Sequence, residues 1–178
     1  MSPNARHSSE TDEHYTPAPI VDAARDALGG TIDLDPASCV AANRIVRAER
    51  IHSRVDNGLA QEWRGRVFCN PPGGKTDGRS NQKIWWGKLV NEYLHGRVSA
   101  AVFLSFSIEL LQTSQVHATG PTPHDYTICF PSRRIAYTRE DGSKGASPPH
   151  ASMLIYLGPD HSRFIVTTRG IGRCMGPR

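Results

Sequence analysis

Residues 98–106 (Val-Ser-Ala-Ala-Val-Phe-Leu-Ser-Phe) form a nearly continuous apolar run of strand length. Such a run is typical of a central strand in a parallel sheet, which helices cover on both faces. Helix-like and strand-like segments alternate around it. Near the C-terminus, two strand-like segments, 151–157 and 164–168, flank a Gly-Pro turn that predicts an antiparallel hairpin. The sequence therefore predicts an α/β fold with three layers, closed by a C-terminal antiparallel hairpin.

Turn and cap signals set the bounds of the other predicted elements. Thr16-Pro17 predicts a helix start, with Thr16 as the cap and Pro17 in the first helical position, and Gly29-Gly30 predicts the helix end. The Gly-rich residues 73–81 predict a mobile loop that acts as a lid. The remaining predicted strands are 31–35, 66–69 and 126–130, and the remaining predicted helices are 41–50, 84–94 and 108–116.

Size and composition indicate one globular domain. The chain has 178 residues, with 38% hydrophobic and 21% charged residues, which is enough for a core of its own. The polar residues 1–12 predict a disordered tail, which leaves one domain at 13–178. No apolar run approaches the roughly 18 residues that cross a bilayer, and no secretory signal is evident. The four cysteines form no metal-like cluster with the eight histidines, so we expect free thiols in the cytoplasm and no metal.

The charge balance favours a polyanionic partner. The net charge is +4, and lysine accounts for only four of the 21 basic residues. Arginine suits the recognition of phosphates, so this balance mildly favours nucleic acid. The same charge is also common in proteins where it only promotes solubility.

Residues 67–72 (Val-Phe-Cys-Asn-Pro-Pro) run from a buried strand into a stiff turn. Because Pro71 and Pro72 fix the backbone, the Asn70 side-chain oxygen and a neighbouring carbonyl can point the same way. Two such acceptors suit a planar amino group: adenine N6, cytosine N4 or a carboxamide. Accepting both hydrogens makes the nitrogen more nucleophilic, so that it can attack an electrophilic methyl group. Pro-Pro-Gly-Gly is also an ordinary loop signal.

Gly74-Lys75-Thr76 resembles the end of a phosphate-binding P-loop. That loop requires a glycine five residues before Gly74, where this chain has Cys69. The prolines also remove backbone donors that a phosphate would need. We therefore exclude a nucleotide hydrolase.

Two further groups of residues favour a nucleotide-like ligand. Asp33 and Asp35 end a predicted strand and Asp56 follows in a loop, so their carboxylates can accept hydrogen bonds from ribose hydroxyls and an exocyclic amine. The same aspartates are also common turn formers. Trp85 and Trp86 face about 100° apart on a helix, so one can pack in the core while the other reaches a cleft and stacks on a base.

Seven motifs occur along the chain in a recognisable order. They are residues 12–17 (Asp-Glu-His-Tyr-Thr-Pro), 33–38 (Asp-Leu-Asp-Pro-Ala-Ser), 56–59 (Asp-Asn-Gly-Leu), 66–72 (Arg-Val-Phe-Cys-Asn-Pro-Pro), 101–106 (Ala-Val-Phe-Leu-Ser-Phe), 130–135 (Phe-Pro-Ser-Arg-Arg-Ile) and 148–152 (Pro-Pro-His-Ala-Ser). In this order they resemble the phage-type DNA N6-adenine methyltransferase family (Dam-like), over roughly residues 13–157. The resemblance implies a Rossmann-like class I methyltransferase fold, S-adenosylmethionine as methyl donor and DNA as substrate. It also implies a phage- or prophage-encoded protein in the bacterial cytoplasm.

The resemblance also implies roles for single residues. Tyr15, Thr16 and Pro17 would border the methionine end of the cofactor. Asp33 and Asp35 would lie by its ribose or methionine amine, with Ser38 in the loop that follows and Asp56 by its adenine. Asn70, Pro71 and Pro72 would hold the target amino group. The remaining residues expected to contact the substrate are Gly73, Lys75, Trp85, Trp86, Phe106, Arg133 and Arg134.

The residue after Asn-Pro-Pro departs from the family pattern. Amino-methyltransferases usually have an aromatic residue there that stacks on the flipped base, whereas this chain has Gly73. Trp85, Trp86 or Phe106 would then have to supply the stack. Two alternatives stay open: an enzyme acting on cytosine N4, RNA or protein glutamine, and a weakly active or inactive module that binds nucleic acid or S-adenosylmethionine. The chain leaves no room for a target-recognition domain, so we expect loose or very short sequence specificity.

Overall fold

The computed structural model describes residues 15–117, 120–138 and 151–177, with the side chains of 114–117 left out. The predicted tail at 1–12 lies outside the described residues, as do parts of the motifs at 12–17 and 148–152. The strands are β1 (Leu34–Asp35), β2 (Arg50–Ile51), β3 (Gly65–Cys69), β4 (Lys75–Thr76), β5 (Arg79–Ser80), β6 (Val98–Ser105), β7 (Thr127–Pro131), β8 (Met153–Leu157) and β9 (Gly172–Met175).

Seven of these strands form one sheet in the order β2-β1-β3-β6-β8-β7-β9. Neighbours from β2 to β6 are parallel, whereas β8 is antiparallel to both β6 and β7, and β9 is antiparallel to β7. The strands β4 and β5 form a separate antiparallel pair. The helices are α1 (Ala18–Ala27), α2 (Val40–Val46), α3 (Asn81–Leu94), α4 (Glu109–His117) and α5 (His161–Thr168).

Side chains alternate across the sheet and build a core on each face. Along β6, Val102 and Leu104 belong to the core that also contains residues of α1 and α5. Ala101 and Phe103 belong to the core that contains residues of α3 and α4. Helices therefore cover both faces of the sheet, and the predicted α/β architecture is confirmed. The central strand β6 is parallel to β3 but antiparallel to β8, so the prediction of a purely parallel environment for it is only half right.

The C-terminal strand prediction at 164–168 is wrong. These residues lie in α5, where Asp160 accepts a hydrogen bond from the backbone N–H of Arg163 at 2.9 Å and caps the helix. Phe164 and Thr168, one turn apart, are fully buried. Burial of that helical face outweighs the strand preference of the β-branched residues between them. The antiparallel part of the sheet is built from β7, β8 and β9 instead.

The start of α1 also differs from the prediction. The N-cap is Pro17 rather than Thr16, and no side chain caps the helix. The Thr16 hydroxyl accepts a hydrogen bond from Asn70. The predicted helix end is confirmed: Gly29 and Gly30 follow the last turn with φ of 87° and 98°, a region that glycine tolerates.

The strand order changes direction between β1 and β3. From β1 the chain moves outward to β2 on one side, then returns to form β3 and β6 on the other side. In open α/β sheets, ligands bind outside the carboxyl ends of the strands at such a reversal. Asp35 ends β1, and Asn70 directly follows β3.

Candidate functional site

Asn70 presents a free acceptor at the carboxyl end of β3. Its Nδ2 donates a hydrogen bond to Thr16 Oγ1 at 3.1 Å, and Thr16 is only 5% exposed. The Asn70 carbonyl oxygen therefore points away from Thr16, and no donor among the described residues bonds it. In this orientation the Asn70 Oδ1 is the end of the amide that is available to a ligand.

Two carboxamides at the start of α3 hold the turn that follows Asn70. Asn81 Nδ2 donates to the Gly73 carbonyl at 2.7 Å. Gln82 Nε2 makes a longer contact of 3.5 Å with the Pro71 carbonyl, and Gln82 Oε1 accepts from Ser105 Oγ at 2.9 Å. Both amides are buried. Sequence reasoning missed Asn81, Gln82 and Ser105, because polar residues at a helix start and a strand end do not reveal their partners.

Phe106 is the aromatic residue that borders this turn. A methyl group added at Gly73 would lie 3.4 Å from Phe106 Cζ, and Phe106 is partly exposed at the end of β6. If the residue after Asn-Pro-Pro were aromatic instead of Gly73, its side chain would begin next to the Phe106 ring. Of the three residues expected to stack on a base, Phe106 has the right location.

The expectation that Trp85 or Trp86 reaches the cleft is wrong. Their exposed fractions are 7% and 6%. The Trp85 ring lies 5.7 Å from that of Trp63, and Trp86 contacts Phe103 and Tyr126 edge-on. Both tryptophans belong to the core beneath α3, because apolar contact on that face of the helix is extensive enough to bury two adjacent positions.

Asp35 is a buried carboxylate without a cationic partner among the described residues. It is 3% exposed, and burial raises its pKa to about 7. The backbone N–H of Ala37, which donates to Oδ1 at 3.2 Å, and the Ser38 hydroxyl only partly oppose that shift. A ligand with a cationic or hydroxyl donor would supply what this carboxylate lacks.

Asp33 is paired with Arg66. Arg66 binds it through two side-chain hydrogen bonds, Nε to Oδ2 at 3.0 Å and Nη2 to Oδ1 at 2.7 Å. Burial would raise the pKa of Asp33, but the hydrogen bonds and charge of Arg66 outweigh burial and lower it. Arg66 lies four residues before Asn70, roughly 13 Å along the strand. Asp33 thus has a structural partner in Arg66, and its cofactor role stays a prediction.

Asp56 is exposed. Its Oδ2 accepts from Ser53 N at 2.7 Å and Ser53 Oγ at 2.6 Å. These bonds lower its pKa and close a turn, and they leave Oδ1 free for a ligand. The turn-forming role is thus present, and the cofactor role stays a prediction.

The remaining predicted residues lie around the same edge of the sheet. Tyr15 is buried and forms a backbone bridge with Thr138, and Pro17 is partly exposed at the start of α1. Arg133 and Arg134 are exposed beyond the carboxyl end of β7, which runs parallel to β6. Lys75 and Pro72 are exposed in the segment after Asn70. Their functional roles stay predictions.

Two negative findings concern the residues that the structure describes. No group of three or more histidine, cysteine, aspartate or glutamate side chains in 15–117, 120–138 and 151–177 could hold a metal ion. No helix in those ranges is both long and apolar enough to span a membrane.

Comparison with known proteins gives no match. No protein-family model matches the chain, and no curated protein or solved structure is significantly similar to it. The function must therefore be inferred from the residues and their geometry.

Proposed function

We propose that this chain is an S-adenosylmethionine-dependent methyltransferase that acts on the N6 amino group of adenine in DNA. The observation that carries the proposal is the Asn70 amide, which Thr16 holds with its carbonyl oxygen free. This acceptor lies at the carboxyl end of β3, next to the reversal of strand order where α/β sheets bind ligands.

The cofactor fits the residues on the β1 side of the crevice. S-adenosylmethionine offers an ammonium group and ribose hydroxyls, and Asp35 is a buried carboxylate without a cationic partner among the described residues. Asp35, the Ser38 loop and the Tyr15–Pro17 segment would hold it, and Asp56 Oδ1 could accept from its adenine. The group supplies an electrophilic methyl carbon on a positively charged sulfur.

The residues at the end of β3 would activate the target amine. Asn70 Oδ1 and the Pro71 carbonyl would each accept one N6 hydrogen, which localises the nitrogen lone pair. The activated nitrogen would accept the methyl group that S-adenosylmethionine supplies, S-adenosylhomocysteine would be released, and the methylated nitrogen would lose one proton to solvent. Holding both reactants in line would supply much of the rate enhancement.

Phe106 would hold the extruded base. A base must leave the DNA stack before an enzyme can reach its amino group, and aromatic rings stabilise it there. Phe106 is partly exposed and borders Gly73. It would therefore stack on the base, as the aromatic residue after Asn-Pro-Pro usually does in amino-methyltransferases.

The two acceptors alone do not select adenine. Cytosine N4 and a glutamine amide present the same pair of hydrogens, and the net charge of +4 favours nucleic acid among these substrates. An inactive module that only binds S-adenosylmethionine or DNA would retain the same fold. Substrate and turnover must therefore be measured together.

The test is a methyl-transfer assay on duplex DNA with mass spectrometry of the released nucleosides. We expect N6-methyldeoxyadenosine. Asn70→Ala should lower turnover by at least about 10²-fold, the scale for losing one preorganised polar group, and should leave cofactor affinity by calorimetry unchanged. Asn91→Ala removes an exposed amide on α3 and is the matched control.

Each other outcome rejects a defined part of the proposal. Full activity of Asn70→Ala would reject the role of the amide. A methyl group on cytosine or on protein would reject the substrate. Cofactor binding without any transfer would identify a binding module rather than an enzyme.

A further inference from the structure

The segment after Asn70 contains a small, well-defined β-ribbon. Lys75–Thr76 and Arg79–Ser80 pair in antiparallel register. The two residues between them, Asp77 and Gly78, have φ of 50° and 74°. Positive φ at both positions defines a type I′ turn, whose twist matches that of the flanking strands and which favours Asp-Gly. The predicted mobile loop is thus a hairpin with a fixed register.

A single asparagine fastens this ribbon to the proposed catalytic turn. Asn81 Oδ1 accepts from Thr76 Oγ1 at 2.7 Å. Its Nδ2 donates to the Gly73 carbonyl at 2.7 Å, and its backbone N–H donates to the Gly74 carbonyl at 3.1 Å. The position of the ribbon relative to Asn70 is therefore fixed by hydrogen bonds rather than by apolar packing.

The ribbon lies outside the core. Residues 72–79 are all exposed, and a two-stranded hairpin adds little stability by itself. A fixed, exposed hairpin beside a catalytic turn is thus better explained by contact with a partner than by folding.

The two cations of the ribbon are on opposite faces. Lys75 is paired with Ser80 and Thr76 with Arg79, and directly opposed residues share a face while adjacent residues do not. Among the described residues no carboxylate forms an ion pair with Lys75 or Arg79. Glu109, whose pKa Lys75 helps to lower, is already bound by Lys83 at 2.9 Å.

We propose that this ribbon lies in the major groove of duplex DNA beside the target adenine and binds a phosphate backbone with each face. The major groove of B-DNA admits a two-stranded ribbon, and a phosphate backbone borders it on each side. Lys75 would face one backbone and Arg79 the other. This inference rests on the proposed function and identifies the element that positions its substrate.

The test is DNA binding, measured by fluorescence anisotropy on a short duplex over a range of salt concentrations. Lys75→Gln/Arg79→Gln should weaken binding roughly tenfold or more at 0.1 M salt and reduce the slope of log affinity against log salt by about 1.8, since each neutralised phosphate contributes about 0.9. Arg64→Gln/Arg163→Gln removes the same charge from two exposed arginines, one just before β3 and one in the first turn of α5, and should change both quantities much less.

A third variant tests the ribbon in the opposite direction. Asp77→Asn preserves the turn preference, because Asn-Gly also favours type I′, but removes a negative charge near the phosphates. We expect severalfold tighter binding. Equal effects of the two double variants, or no change with Asp77→Asn, would overturn the proposal.

The same titration separates this inference from the proposed function. DNA binding that depends on the ribbon, without methyl transfer, would uphold the ribbon and reject the enzyme. Methyl transfer with ribbon-independent binding would reject only the ribbon. An unmodified protein that does not bind DNA would reject both.

Discussion

Carboxylates at the two ends of the central sheet differ in whether a cationic side chain pairs with them. At the amino ends of β3 and β6, Glu92 is 2% exposed and binds both Lys88 and Arg97. Burial alone would raise the pKa of Glu92, and the two cations outweigh it and lower the pKa. Asp33, paired with Arg66, follows the same pattern.

At the carboxyl end, Asp35 is buried, and no cationic side chain among the described residues pairs with it. Its pKa is raised to about 7, and nearby the Asn70 carbonyl oxygen also lacks a donor among the described residues. Buried polar groups without partners cost stability. This difference between the two ends of the sheet supports the proposal that a ligand binds at the end where Asp35 lies.

Among the variants that test this difference between the two ends, Asp35→Asn should produce the largest change, in how the free energy of unfolding depends on pH. The pKa of Asp35 is about 7 in the folded state and 3.8 ordinarily. Between pH 4 and pH 7 the folded protein therefore keeps a proton on Asp35 that the unfolded chain has lost. The stabilisation from that proton is complete below pH 4 and is lost as pH rises to about 7, a difference of about 4 kcal/mol. Urea unfolding at pH 5 and pH 8 without cofactor should show roughly 2 to 3 kcal/mol of that loss in the natural chain, because part of it has already occurred at pH 5, and much less in Asp35→Asn. An identical pH dependence in both would contradict the unpaired state of Asp35.

Glu92→Gln should have the next largest effect, a loss of stability at the end of the sheet where the carboxylates are paired with cations. Removing one partner of a buried ion pair leaves uncompensated charge, and because Lys88 and Arg97 reach solvent we expect about 3 kcal/mol of lost stability. Urea unfolding measures it. Cofactor affinity should not change while the protein is folded. If Glu92→Gln weakens cofactor binding and leaves stability intact, the division between the two ends is wrong.

Phe106→Ala should affect activity rather than stability. Loss of one base-stacking ring costs about 2 kcal/mol, or roughly 30-fold in kcat/KM on DNA. Phe106→Tyr retains the ring and should retain the rate. Equal losses in both variants would assign the stack to another residue.

Thr16→Val should have the smallest effect of the four. It removes one hydrogen bond to Asn70, worth about 1 kcal/mol, so kcat should fall roughly fivefold while the KM for DNA stays constant. Thr16→Ser should restore kcat. In an Asn70→Asp background the penalty should shrink, because either carboxylate oxygen can then accept from the substrate. A full penalty there would reject the orienting role.

Local patterns in the sequence predicted several elements close to their observed bounds. The strands β3 and β6 and the helices α1 and α3 follow from apolar periodicity and from the glycines and prolines around them. The hairpin at 75–80 was missed although Asp77-Gly78 is a strong signal for it, since strands of two residues give no periodicity. The helix α5 was missed because its β-branched residues favour a strand, whereas burial of Phe164 and Thr168 on one face stabilises a helix.

The sequence by itself determined that Asn70 stands at a strand end before two prolines, because a period of two and fixed φ values are local properties. Only the tertiary structure decided which neighbours completed that position. Thr16 is 54 residues from Asn70 along the chain, and Asp33 is paired with Arg66, 33 residues away. Such partners are chosen by how the sheet orders its strands, and contacts between distant segments leave no periodic trace in the sequence.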